Sequence, residues 1–252
     1  MKLAKSALFG AAITVSAGLA LSTGAGAQSS DRSVQKPVTG IQWNSVVTRK
    51  DSAHIFGNPD AQAKLTEYVS YTCPHCATFV VQGDPALKLI YIPSGKVSVE
   101  IRHVIRDPID WTAAVLAQCG EPEQFAQNHD AFMRTQKDWL PKLSTATQAQ
   151  RARWQSSDPV AARRAIASDL GFEEIMERRG YSRVEIDRCL ADGGTARAIA
   201  VDSILEAKRM GVSGTPSFAL NGTLLEGTHN WPTLEKDLNA FFDEQKNAKL
   251  GE

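Results

Sequence analysis

The chain has 252 residues, with 28 Lys and Arg against 28 Asp and Glu and 42% hydrophobic residues. The balanced charge provides no basic surplus for neutralising phosphates, so nucleic acid is excluded as a principal partner. The length suffices for one well-cored domain with an insertion, or for two small domains.

Lys2 and Lys5 precede an apolar run over residues 7–21 and then Ala25-Gly26-Ala27, a small-x-small cleavage signature. That is the pattern of a secretory signal peptide. The run is diluted by Gly, Ser and Thr and falls short of the ~20 residues that span a bilayer. Residues 1–27 are therefore expected to be a signal peptide, with the mature chain in an oxidising compartment, most simply a bacterial periplasm. Residues 28–52 read as a polar N-terminal arm, poorly ordered to about Val38.

An apolar stretch over residues 65–71 predicts a strand, and residues 76–90 suit a helix. Between them stands Tyr71-Thr72-Cys73-Pro74-His75-Cys76. Two cysteines separated by two residues at a strand-to-helix turn make a small, exchangeable disulfide. Cys73 would open the helix, where unpaired N–H groups and the positive end of the dipole favour a thiolate. Pro74 suits the first helical turn, and a protonated His75 would add positive charge. Such surroundings lower a cysteine pKa from about 8.5 to roughly 3.5–7.5. Cys76, one turn further in, would be the more buried, resolving thiol. A zinc half-site is the first alternative, but no second Cys-x-x-Cys or closely spaced histidine pair completes it. A purely structural disulfide is the second.

Residues 96–105 alternate Val97, Val99 and Ile101 with polar partners and predict another strand. Residues 111–191 then change to helices of mixed length, with Phe125, Ala131 and Phe132 in one, Ala161, Ile166 and Leu170 in another, and Pro141 and Pro159 as punctuation. Residues 196–210 predict a helix with Val201, Ile204 and Leu205 on one face and Gly211 just past its end. Residues 217–220 and 223–226 flank Asn221-Gly222, a β-hairpin signal. A last helix, starting near Asn230 or Thr233, carries Leu234, Leu238, Phe241 and Phe242 on a face meant for a sheet. The chain after Glu244 reads as a poorly ordered tail. The remaining histidines, His54, His103, His129 and His229, have no metal-site spacing, the five tryptophans are scattered, and the Arg-rich residues 151–164 read as a solvated helix face.

In this order the chain resembles a thioredoxin fold with an inserted helical domain, an α/β architecture. The resemblance is carried by Cys73-Pro74-His75-Cys76 with its leading strand and by residues 211–222, which contain Gly214-Thr215-Pro216. Together they are similar to the DsbA family of periplasmic thiol:disulfide oxidoreductases. The division that follows is residues 1–27 signal peptide, 28–52 arm, 53–110 first part of the thioredoxin domain, 111–192 helical insertion, 193–246 second part and 247–252 tail.

The resemblance implies that Thr215-Pro216 is a cis peptide opposite Cys73, presenting Thr215 and Pro216 to an extended substrate chain. It implies that Glu67, six residues before Cys73, is a buried acid relaying protons to Cys76, with Arg102 and Arg106 as candidate partners. From its strand position alone, Glu67 equally suits an outward-facing place at an edge. Cys119 and Cys189 are left over, and in an oxidising compartment such a pair is expected to form a structural disulfide. The implied activity is donation of the Cys73–Cys76 disulfide to reduced exported proteins by a monomer. It implies reoxidation by a membrane quinone-linked partner of the DsbB type and no bound cofactor. An isomerase or reductase using the same dithiol, and a non-catalytic holdase, are the alternatives.

Overall fold

A computed structural model describes residues 40–250. The signal-peptide reading of residues 1–27 and the arm through residue 39 lie outside the described residues. Six strands form one mixed sheet in the order β1-β2-β4-β3-β5-β6. They are β1 (Val47–Lys50), β2 (Ala53–Gly57), β3 (Ala63–Val69), β4 (Val97–His103), β5 (Ser217–Leu220) and β6 (Thr223–Leu224). Only β3 and β4 pair in parallel. A parallel pair needs a crossover, and here it is helical: α1 (Pro74–Gln82), a turn α2 (Asp84–Ala86) and a π turn (Leu87–Tyr91).

Between β4 and the last strands lie α3 (Pro108–Ala117), α4 (Phe125–Arg134), α5 (Gln136–Trp139), α6 (Lys142–Thr145), α7 (Gln148–Trp154), α8 (Pro159–Leu170), α9 (Phe172–Arg178), α10 (Arg183–Ala191) and α11 (Gly193–Met210). Their starts are written in the sequence. Asp107 and Asp158 cap α3 and α8, each followed by proline at the first helical position, and Thr147 and Ser182 open α7 and α10 with capping boxes. The helical block is not a separate body. Phe132, Phe172 and Leu190 belong to the same buried cluster as Val99, Phe79 and Leu238.

Pleating divides the sheet into two faces. On one, Glu67 lies beside Ile101 and Phe218 in register. Phe79 of α1 packs on Phe218, and Phe125 of α4 stacks on His54. The closing helix α12 (Trp231–Leu250) belongs to the same cluster through Leu234 and Leu238, both fully buried. On the other face α11 lies across the sheet, with Glu206 bound to the Tyr68 hydroxyl and Asp202 to Arg102.

Several expectations change. Val201, Ile204 and Leu205 do share a face of α11, but it is the exposed one; Ala196, Ile199 and Ser203 are buried. Three larger apolar residues fall outside because α11 covers a polar strip of sheet, where Tyr68 and Arg102 need acceptors. Ala161 likewise points outward from α8, whereas Arg163 of the Arg-rich stretch is buried, stacking on Trp111 and donating to the Leu190 carbonyl. Part of the expected arm enters the fold, since β1 is an edge strand paired with β2. The expected tail continues α12 as far as Leu250. Asn221 takes φ 50° and Gly222 φ 82°, the left-handed pair that a tight hairpin requires.

Candidate active site

Strand β3 ends at Val69, and Ser70 to Thr72 turn the chain into α1, with the Cys73 N–H donating to the Ser70 carbonyl at 3.1 Å. Cys73 is the N-cap of α1, extended at φ −95° and ψ 114°, with Pro74 in the first turn. The sulfurs of Cys73 and Cys76 are not bonded to each other, and Cys73 is 2% exposed and Cys76 fully buried. The Thr215-Pro216 peptide is cis, and the Cys73 sulfur lies 3.1 Å from the Thr215 carbonyl oxygen. Two motifs 142 residues apart in sequence thus meet at one sulfur.

The two sulfurs are driven apart in acidity. Donation from the Cys76 thiol, from the Thr215 side chain and from the Cys76 and His75 N–H groups brings Cys73 down to about 4, against partial burial that raises it. Cys76 is pushed well above the usual thiol range by burial, by its bond to Cys73 and by the charges of Cys73 and Glu67. Cys73 therefore carries the stable thiolate and Cys76 the stable thiol.

Glu67 is 1% exposed, so the outward-facing placement is replaced by a buried one. Burial first, and then the Asp84 and Asp130 carboxylates, raise its pKa well above the carboxylate range, with Lys88 opposing. Its buried Oε1 has no hydrogen-bond partner among the described residues, and the residue lines a cavity of about 270 Å³ together with Asp84, Leu87, Lys88, Ile101 and Asp130. Arg102 is not its partner. In register Arg102 lies beside Tyr68, one residue on, and so points to the opposite face, where it pairs with Glu100 and Asp202. Arg106 follows the end of β4, with its N–H held by Asp110. The basic group near it is Lys88, which bridges Asp84 and Asp130 at 3.0 and 2.8 Å.

A polar frame fixes the turn before Cys73. Buried Asp110 accepts from Ser70 Oγ and the Tyr71 N–H, both at 2.7 Å, and from the Arg106 N–H at 3.0 Å. Asp107 accepts from Thr72 Oγ1 at 2.8 Å. Gln136 Nε2 donates to the carbonyls of Tyr71 and Cys73 at 2.7 and 2.9 Å, and the Tyr71 hydroxyl meets His129 Nδ1 at 2.9 Å. None of Ser70, Lys88, Asp107, Asp110 or Gln136 was singled out as a site residue by sequence. The Asp107-Pro108 step is legible as a helix start; the others carry little local signal because each has a partner 39–65 residues away. His229 reaches the Pro216 carbonyl at 2.8 Å. Cys119 and Cys189 are disulfide-bonded, with Cα atoms 5.7 Å apart. Among the described residues no group of three His, Cys, Asp or Glu is placed to hold a metal ion, and no helix is long and apolar enough to cross a membrane.

Comparison with known proteins places this geometry. The family model described as Thioredoxin matches residues 49–240. A Rickettsia conorii protein, provisionally named a protein-disulfide oxidoreductase, is 28% identical over 203 residues, 80% of this chain and 65% of that protein. A Rickettsia typhi counterpart is 30% identical, over 68% of this chain and 56% of that protein. The chain thus spans somewhat less than two thirds of the length of these relatives. Among solved structures, a protein-disulfide isomerase from Novosphingobium aromaticivorans is 42% identical, with a TM-score of 0.73, covering 76% of this chain and 98% of that one. The α-DsbA1 of Wolbachia pipientis shares the fold at 20% identity, with a TM-score of 0.60, covering 80% of this chain and 96% of that one.

Proposed function

We propose, since this chain belongs to the thioredoxin family, that it is a protein thiol:disulfide oxidoreductase donating its Cys73–Cys76 disulfide to reduced exported proteins in a bacterial periplasm. The observation that carries the reading is the Cys73 sulfur at the start of α1, drawn down to about 4 and facing Thr215. An anion that is stable when reduced makes its disulfide oxidising.

In the cycle, a substrate thiolate attacks Cys73 Sγ. The substrate–Cys73 bond forms, the Cys73–Cys76 bond breaks and its electron pair leaves on Cys76. Cys76, held far above neutral, takes a proton, and the buried neutral carboxyl of Glu67 is the donor we assign; the cavity on its other side lets that proton be replaced from solvent. A second substrate thiolate then attacks the substrate sulfur. Cys73 leaves as a thiolate, a fast step because its conjugate acid is strong. The substrate has lost two electrons and two protons; the protein holds both electrons as the Cys73 thiolate and Cys76 thiol, with one proton on Cys76 and the other released to solvent. The Thr215 carbonyl, which has no thiol proton to accept while Cys73 is disulfide-bonded or ionised, is an acceptor for the N–H of an extended substrate segment. Pro74, His75 and Pro216 border the same sulfur. Reoxidation is assigned to a membrane quinone-linked partner of the DsbB type, and the protein acts as a monomer.

Isomerase activity is the second reading, favoured by the 42% identity to a structure named a protein-disulfide isomerase. Equilibration of Cys73–Cys76 with glutathione separates the two. A potential near the strongly oxidising end, about −120 mV, supports the donor; one near about −270 mV overturns it in favour of the reductase and isomerase side.

A further inference from the structure

We propose that Gln136 is a positioning residue through which the helical block sets the reactivity of the Cys73 sulfur. Three donors converge on the Cys73 carbonyl oxygen. Two are the helix's own, the Cys76 N–H at 3.2 Å and the Ala77 N–H at 3.4 Å. The third, from Gln136 Nε2, is the shortest at 2.9 Å. The same amide group also donates to the Tyr71 carbonyl at 2.7 Å. One side chain of α5 thereby spans the turn and fastens both ends of the Tyr71–Cys73 segment.

The consequence follows from peptide geometry. The direction of the Cys73 carbonyl is the ψ of Cys73, and it fixes where α1 begins. The N–H groups of His75 and Cys76, which stabilise the Cys73 thiolate, are aimed by that same helical start. Losing the Gln136 donors leaves the opening of α1 on its two long backbone bonds. The N–H groups then spread over a wider range of directions, and the thiolate loses part of its stabilisation.

Gln136 is well placed for this. It is 4% exposed and stands at the first position of α5, whose end is anchored by Trp139 donating to the Phe132 carbonyl. It touches neither sulfur, so it is not a catalytic residue. Its effect passes through the backbone.

The inference rests on Cys73 being the sulfur that exchanges with substrate, and its test is kept apart from the direction of electron flow. The ultraviolet absorbance of the thiolate is followed against pH in the full mature chain, together with the glutathione equilibrium, for the wild type, Gln136→Met and Trp139→Phe. Gln136→Met is expected to raise the Cys73 pKa by about one unit and to move the glutathione equilibrium about tenfold toward a more stable disulfide. Trp139→Phe removes a buried hydrogen bond from the same helix without touching the turn. It is expected to lower thermal stability and leave the Cys73 titration in place. If Gln136→Met does not fold, Gln136→Asn, one methylene too short to span both carbonyls, is expected to show the same upward shift. A folded Gln136 variant titrating and equilibrating as the wild type overturns the inference, as does a shift of equal size in Trp139→Phe. A wild type whose Cys73 titrates near the ordinary thiol value instead overturns the functional reading above.

Discussion

The Thr215 carbonyl oxygen accepts from the Cys73 sulfur at 3.1 Å, an interaction that exists only while Cys73 keeps its proton. Ionisation of Cys73 to its stable thiolate therefore releases this acceptor. Site chemistry and substrate-binding surface are thereby tied to one proton.

The pH dependence of the dithiol follows. With a folded value of about 4 against about 8.5 in an unfolded chain, Cys73 contributes stability to the reduced protein that is complete above the unfolded value. That stability is lost as pH falls through the folded value. At pH 7 the reduced form should gain roughly two to four powers of ten in its equilibrium with glutathione. Alkylation of Cys73 should stay fast between pH 7 and 5 and fall below about pH 4. Rates that instead rise tenfold per pH unit from 6 to 8 would contradict the assignment.

Glu67→Gln separates the acid's proton from its shape. Glu67 is raised well above its unfolded value by burial, so it opposes folding increasingly as pH rises above the unfolded value, near 4.3. Glu67→Gln should therefore be more stable than the wild type at neutral pH, by about 1–3 kcal/mol, with the gap closing toward pH 4. If Glu67 passes its proton to Cys76, the same variant should form mixed disulfides more slowly while its Cys73 titration stays low. Urea midpoints against pH and stopped-flow exchange measure the two effects. A difference between variant and wild type that is the same at pH 4 and pH 8 would show that Glu67 carries the same charge folded and unfolded.

Much of the fold is legible in the sequence because its determinants are local. The Asp-Pro helix starts, the Asn221-Gly222 turn and the spacing of Leu234 and Leu238 each act over a few residues. The Cys-x-x-Cys step is equally local, and with Gly214-Thr215-Pro216 it names the centre of the site. The surrounding frame is not local. Asp110 and Gln136 gain their roles from the turn that the fold brings to them, and Lys88 from Asp130 on a distant helix; any of the three reads as surface in isolation. Helix α11 shows the converse: its apolar triplet suits burial, but the sheet strip beneath it holds Tyr68 and Arg102 and draws the helix's acidic face inward.

Removing the second disulfide should weaken the protein without disabling the site. Cys119 and Cys189 join the segment after α3 to α10 across 70 residues, an ideal unfolded-state restraint of about 4 kcal/mol that engineered cases often fail to reach. The Cys119→Ala, Cys189→Ala variant is expected to lose about 2–4 kcal/mol in denaturant titrations. Insulin-reduction or oxidative-refolding rates below its melting range should remain. Unchanged stability would mean that the bond does not restrain the unfolded chain.

Acid sensitivity should be concentrated in three rings. His54 and Phe125 stack at 3.9 Å, and His103 and His129 lie 6.0 and 5.7 Å from the same Phe125. Both ring nitrogens of His103, Nδ1 of His54 and Nε2 of His129 have no partner among the described residues. Burial lowers all three, His54 and His103 to about 3 and His129 to about 4. Each stays neutral when folded but gains a proton near pH 6.5 when unfolded. Their stabilising effect is therefore present above pH 6.5 and lost as pH falls toward the folded values. Asp110, raised to about 7 by burial, and Glu67 act in the opposite sense over part of this range, so the total profile alone does not isolate the histidines. His103→Phe does. It fills the same space with no nitrogen to protonate, so its stability relative to wild type should rise steadily below pH 6.5, reaching about 2–4 kcal/mol by pH 4. Urea titrations at half-unit pH steps give the difference directly. A constant offset across the range would mean that His103 carries the same charge folded and unfolded, and that the acid response lies elsewhere.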